Sequence, residues 1–196
     1  MIFFSLVYTP GLLATPMASA LTGSFYLTQT VTMPAATASG VVTQAEVDLS
    51  AYVNVPTGQA VAITSVDFVY QKSSPFGQAA DTMLAGNGAI SVQLTDLNQG
   101  ANMVRADNQS LIASGCLNID VVNNVATKDI DIYPDNFGKL SEAFMVVNDS
   151  LFLTAMPGGT TIGLLDVNVT ARIRCEVVKL SQKDWMAIAI QATAEA

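Results

Sequence analysis

Leu165-Asp166-Val167-Asn168-Val169-Thr170-Ala171-Arg172-Ile173-Arg174-Cys175-Glu176-Val177 is the stretch that decides the fold. Every odd position is apolar without a break, and every even position is Asp, Asn, Thr, Arg or Glu. Side chains of a strand point alternately to opposite faces, so this pattern means a strand with one buried and one polar face. At about 3.3 Å per residue the segment spans roughly 43 Å, about twice a typical strand. So long a strand can run the full height of a sandwich. Ile173 and Cys175 are expected to face the core, with Arg172 and Arg174 on the opposite side.

Upstream, shorter segments repeat the signature between turn residues. Residues 24–33 (SFYLTQTVTM) read as a first strand with Phe25, Leu27 and Val31 inward, and residues 34–40 (PAATASG) as a loop. Residues 42–49 place Ala45, Val47 and Leu49 on one face. Val55-Pro56-Thr57-Gly58 is a turn with Pro and Gly at compatible positions. In residues 59–71 (QAVAITSVDFVYQ) the apolar phase is odd at Val61 and Ile63, then even at Val66, Phe68 and Tyr70. A phase change inside one strand predicts a bulge near Thr64-Ser65. Residues 73–87 read as a long excursion and residues 89–95 (AISVQLT) as a strand. A helical turn is expected around residues 109–113. Two hairpins are expected, one joining residues 116–122 and 126–133 across Asn123-Asn124, the other joining 143–147 and 150–155 across Asn148-Asp149. Pro157-Gly158-Gly159 reads as a turn.

About nine or ten short strands with no long helical pattern mean an all-β fold, not a βαβ fold. Eight core strands plus arms is the arithmetic of a single jelly roll, an antiparallel β-sandwich. The expected organisation is an apolar amino-terminal arm over residues 1–23, the sandwich over 24–180, and a carboxy-terminal arm or short helix over 181–196 anchored by Trp185 and Met186.

Charge narrows the function. Only 12% of the 196 residues are charged, about half the share usual in globular domains. Ser, Thr, Asn and Gln take over the surface. Desolvating a hydroxyl or amide costs less than desolvating a charge, so this composition suits a surface that is buried in an assembly. The net charge is −8, and no Lys or Arg occurs before Lys72. Nucleic-acid binding needs a basic stripe or arm, so direct genome contact is not expected.

Residues 1–20 (MIFFSLVYTPGLLATPMASA) have the apolar run and the Ala18-Ser19-Ala20 site of a secretory leader. They lack a basic n-region, and Pro10-Gly11 splits the run. The segment is therefore expected to stay in the mature chain, and it is too interrupted to span a bilayer as a helix. Phe3, Phe4, Leu6, Val7, Leu12 and Leu13 are too apolar to leave wet. They are expected to be buried on the chain's own domain or on a neighbouring subunit, the second being the use that serves assembly; contact with a membrane surface is the remaining reading.

There is no histidine, which removes Ser-His-Asp and Cys-His machinery in their usual forms and every His-containing zinc site. No phosphate-binding glycine loop is present. The two cysteines, Cys116 and Cys175, make at most one bridge. Glu46 with Asp48, or Glu142 with Asp149, could be invoked as a carboxylate pair, but they read as solvated surface charges. Asp129, Asp131 and Asp135 in KDIDIYPD form an oxygen-rich cluster of the type that suits Ca²⁺; the competing reading is the polar face of a strand. No other cofactor is expected, and no enzymatic activity.

Residues 47–71 (VDLSAYVNVPTGQAVAITSVDFVYQ), with the long final strand over 164–178, resemble the single jelly-roll coat proteins of tailless icosahedral viruses. The resemblance covers about residues 24–180. It implies a virion protein that self-assembles into a shell, with copies of itself and other virion proteins as partners, sometimes over an internal membrane. Two other readings share the composition. One is a cell-surface or filament subunit. The other is a carbohydrate-binding sandwich stacking sugars on Tyr52, Tyr70, Tyr133 or Trp185.

Overall fold

The computed structural model describes residues 18–77, 79–100, 102–130 and 143–193. Ten strands are found among them: β1 (Ala18–Ala20), β2 (Phe25–Met33), β3 (Thr43–Asp48), β4 (Gln59–Lys72), β5 (Gly88–Thr95), β6 (Leu111–Asp120), β7 (Val125–Ile130), β8 (Phe144–Val146), β9 (Ser150–Gly158) and β10 (Val167–Leu180). One helix, α1 (Gln182–Thr193), follows.

The strands form two antiparallel sheets. The first is ordered β2–β10–β4–β8, with β1 prolonging the β2 side of β10; the second is β3–β9–β5–β6–β7. Between β2 and β10 the chain changes sheet at most steps: β2, β4, β8 and β10 lie in the first, β3, β5, β6 and β9 in the second, with β5 and β6 paired side by side. That is the wrapping of a jelly roll, with β7 added as a hairpin on β6. The chain is an all-β sandwich.

β10 is the spine of the first sheet, pairing with β2 along Val167–Cys175 and with β4 along Val167–Lys179. Val167, Val169, Ala171, Ile173 and Cys175 are fully buried in the main core, opposite Val47, Ile90, Val92, Leu94, Leu151 and Leu153 of the second sheet. Arg172 and Arg174 are exposed. The expected faces are those found, but the strand starts two residues later, and Leu165 is 38% exposed. The expected bulge is also present. Arg174 faces Ser65 while Cys175 faces Ile63, leaving Thr64 as the extra residue. Its hydroxyl donates to the Arg174 carbonyl (3.2 Å). The 55–58 turn is a single 3₁₀ turn capped by Asn54 and closed by Gly58 at φ 70°. A Cβ on Gly58 would stand 2.6 Å from the Leu180 carbonyl oxygen, so both backbone and space require glycine.

A second, smaller cluster lies on the outside of the first sheet. Ala18, Ala60, Ala62, Met145, Val147, Val178 and Leu180 are buried there beneath Trp185, Ile188 and Ala189 of α1. The small side chains of Ala18, Ala60 and Ala62 let the helix lie close to the sheet. Both faces of the strands are therefore covered at this end, and residues 60–63 are buried without alternation.

Three expectations are corrected. Residues 143–147 and 150–155 do not pair with each other: β8 joins β4 in the first sheet, and β9 joins β3 and β5 in the second. Val146 enters the main core and Met145 and Val147 the outer cluster, which only a strand of the first sheet can do. The Asn148-Asp149 corner carries the chain across, held by Asn148 Nδ2 donating to the Asp96 carbonyl (2.9 Å) and the Leu49 amide to the Asp149 carbonyl (2.7 Å). No helical turn occupies residues 109–113. Asn108 Oδ1 instead accepts from the Ser110 amide (2.8 Å) and hydroxyl (2.7 Å), and β6 begins at once with Leu111, Ile112 and Ala113 buried. Residues 182–193 are helical as one of the two forms expected, but Met186 is 59% exposed and only Trp185 acts as an anchor.

Candidate functional site

The uncovered part of the first sheet's outer face is built from alternate residues of β2 and β10. Tyr26, Thr28, Thr30 and Thr32 are exposed beside Asn168, Thr170, Arg172 and Arg174. Neighbours satisfy one another across the strands. Thr30 and Thr170 hydroxyls meet at 2.8 Å, the Thr32 hydroxyl donates to Asn168 Oδ1 (2.8 Å), and the Arg172 guanidinium stands 5.5 Å from the Tyr26 ring centre. Hydroxyls and amides already paired in the plane of the sheet lose little on leaving water, so the Thr and Asn part of this face can be covered by another protein surface at low cost, whereas Arg172 and Arg174 call for acidic partners.

The second sheet is partly covered by its own chain. Gln93 Nε2 donates to the Val104 carbonyl and its Oε1 accepts from the Val104 amide, both at 2.8 Å, while Gln44 Nε2 reaches the Gly100 carbonyl (3.3 Å). This clamps the β5–β6 connection over the sheet. Beside β7 lies an open depression of about 490 Å³ floored by Gly88, Ala89, Gly158 and Gly159. Its one carboxylate, Asp120, is held below the usual value, first by Asn123's side chain and then by main-chain amides. A carboxylate kept ionised this way is no proton donor.

Of the Ca²⁺ candidates, Asp129 is exposed on β7 and its Oδ2 accepts from Asn118 Nδ2 on β6. Asp131 and Asp135 lie outside the described residues, and among the described residues no group of three acidic or thiol ligands assembles. Phe3, Phe4, Leu6, Val7, Leu12 and Leu13 also lie outside them, as do Tyr133 and Glu142. Glu46 accepts from the Ser150 hydroxyl. Asp48 accepts from the Ser50 amide (2.8 Å) and is held below its ordinary value by the Ser50 side chain and amide. The two are strand-surface carboxylates with structural partners. Among the aromatic candidates for sugar stacking, Tyr70 is buried, Tyr52 packs against Phe25 with ring centres 5.2 Å apart, and Trp185 packs from α1 onto the small cluster of the first sheet. None of the three is presented as a platform.

Both cysteines are free. Cys175 is fully buried, and burial pushes its thiol up to about 12. It serves as a small core hydrophobe. Sequence reasoning gave no hint of Asp96, a carboxyl group that is 4% exposed at the end of β5 and whose Oδ1 has no hydrogen-bond partner. Burial raises it to about 6. No pattern marks such a residue, because its surroundings are set by residues remote in sequence, Ser110 and Asn148 among them. Among the described residues no helix is long and apolar enough to cross a membrane.

No protein-family model matches this chain, and no curated protein matches it. Among solved structures, a chain from Desmodium yellow mottle tymovirus aligns over 88% of this chain and 97% of its own length, at 10% identity and a TM-score of 0.29. A chain from the single-particle structure of maize chlorotic mottle virus covers 81% and 96%, at 11% identity and a TM-score of 0.27. Scores of this size mark a loose architectural resemblance to chains of virus structures and nothing finer.

Proposed function

We propose that this chain is a non-catalytic structural subunit that packs against copies of itself to form a closed shell, the coat of a virion. The observation that carries the reading is the eight-strand jelly-roll order joined to a surface of mutually satisfied hydroxyl and amide groups. Such a sandwich is rigid, has its own core, and can bury its hydroxyl and amide surface cheaply, with acidic groups of the neighbouring copy facing Arg172 and Arg174. The terminal arms, including Phe3, Phe4, Leu6, Val7, Leu12 and Leu13, add apolar surface to the particle. With net charge −8 and no basic run, packaging of nucleic acid would fall to another virion component.

Purified full-length chain, concentrated at neutral pH and imaged by negative-stain electron microscopy with sedimentation velocity alongside, tests this. Closed particles of uniform diameter are expected. Open filaments would favour a surface or filament subunit, and a monomer at every concentration and salt would overturn the shell reading.

A further inference from the structure

Helix α1 is apolar on two sides. Trp185, Ile188 and Ala189 face the small cluster on the sheet, while Met186 and Ile190, one turn apart, are 59% and 63% exposed. Two large apolar side chains one turn apart, beside exposed Lys183, extend the apolar surface of α1 beyond the stripe that the sheet covers, so this part of the outward side calls for a cover.

Strand β1 shows which segment ends beside it. Ala18 pairs with Leu180 and Ala20 with Val178, antiparallel. Ala18, the first described residue, is therefore held beside Leu180, two residues before α1 starts. Ala18 itself is buried in the cluster beneath the helix. Upstream lie 17 uncharged residues carrying Phe3, Phe4, Leu6, Val7, Leu12 and Leu13. At 1.5 Å per residue α1 is about 18 Å long, and about six extended residues cover that length. A segment tethered at one end of the helix has an effective concentration in the millimolar range along it. No partner needs to be recruited.

We propose that the Met186–Ile190 side of α1 is the docking seat of the chain's own amino-terminal segment, residues 2–13, which crosses the helix and closes a second apolar layer on the outside of the first sheet. This is independent of the shell reading, since the seat is filled whether or not copies assemble.

The test uses the full-length chain with a benzoylphenylalanine photo-crosslinker in place of Met186, an exposed position that tolerates it. Equal amounts of unlabelled and heavy-nitrogen-labelled chains are mixed, irradiated, cleaved with chymotrypsin and analysed by mass spectrometry. The expected result is cross-links to residues 2–13 within chains of a single isotopic composition, lost when Phe3, Phe4 and Leu6 are all changed to Ser. Mixed-isotope cross-links to residues 2–13 would seat the arm of a second copy there. Cross-links to any other surface of a second copy would make the helix face a contact between copies. Solvent adducts alone would mean an empty seat. Each of these three overturns the proposal.

Discussion

Asp96→Asn should stabilise this protein at neutral pH and leave it unchanged in acid. The Asp96 carboxyl is 4% exposed, its Oδ1 has no partner, and its folded-state pKa is about 6 against an ordinary 3.8. Below about pH 3 the group is protonated in folded and unfolded chains alike, and it contributes nothing. Between about pH 3 and 7 the unfolded chain ionises while the folded one resists, so stability falls as pH rises. Above about pH 7 the folded chain carries the full cost of a buried, unpaired charge. At 1.36 kcal/mol per pKa unit that cost is on the order of 3 kcal/mol, a large fraction of a domain's total. Asparagine keeps the shape and removes the charge, while the main-chain bonds from Asp96 to Ser110 and Asn148 are untouched. The assay is urea unfolding of both proteins under reducing conditions at several pH values between 4 and 8. The difference in unfolding free energy should be about 0.5 kcal/mol at pH 4, about 1.5 kcal/mol at pH 5, and level off at about 3 kcal/mol above pH 7. Comparing variant with wild type cancels the carboxylates shifted the other way, Asp48 and Asp120. A pH-independent difference, or a variant less stable than wild type at pH 7.5, would refute the reasoning.

Three further outcomes follow from the packing. Ile173→Asp places a charge at a fully buried core position and should abolish soluble expression, whereas Arg172→Ser on the exposed face should melt within a few degrees of wild type; similar behaviour of the two would reverse the assigned faces. Ala62→Leu overfills the space under α1 and should cost about 1–3 kcal/mol, with a red shift in the fluorescence of Trp185, the single tryptophan; an unchanged spectrum would mean the helix does not rest there. With an aromatic disulfide reagent, half-buried Cys116 should react in the native protein and Cys175 only on unfolding; two thiols titrating at one rate would contradict the burial of Cys175.

What the sequence makes legible is whatever one strand can show by itself. The faces of β10, the bulge at Thr64 and the Gly58 turn follow from alternation and turn chemistry within a few residues. What it hides depends on where strands go next. Asn148-Asp149 has the composition of a hairpin turn, yet the segments flanking it belong to different sheets. A two-residue connection between alternating runs carries no mark of whether the second run folds back beside the first or crosses the core. Asp96 is hidden for the same reason, since its main chain is held by Ser110 at the far end of the β5–β6 connection and by Asn148 at the β8–β9 corner. The depression beside β7 is equally silent in sequence, because four small residues from β5 and the end of β9 make its floor.

One signal was nonetheless present across the chain. Period two holds only where a strand has one covered face, so a break in alternation marks a place where both faces are covered. Alternation fails at residues 60–63, at 145–147 and at 177–178, three stretches far apart in sequence. In the folded chain the residues out of phase, Ala60, Ala62, Met145, Val147 and Val178, converge on one patch outside the first sheet, and α1 lies across it. The sizes fit the same account. The positions on β4, which pairs with both β10 and β8 under the helix, are alanines, and larger Met and Val stand on β8 and β10 to either side. Small side chains beneath a helix let it approach the surface it covers more closely. The breaks in the strand pattern and the apolar run of residues 185–190 are two halves of one contact. Met186 and Ile190, on the far side of the same run, have the chemistry of a third layer rather than of a surface.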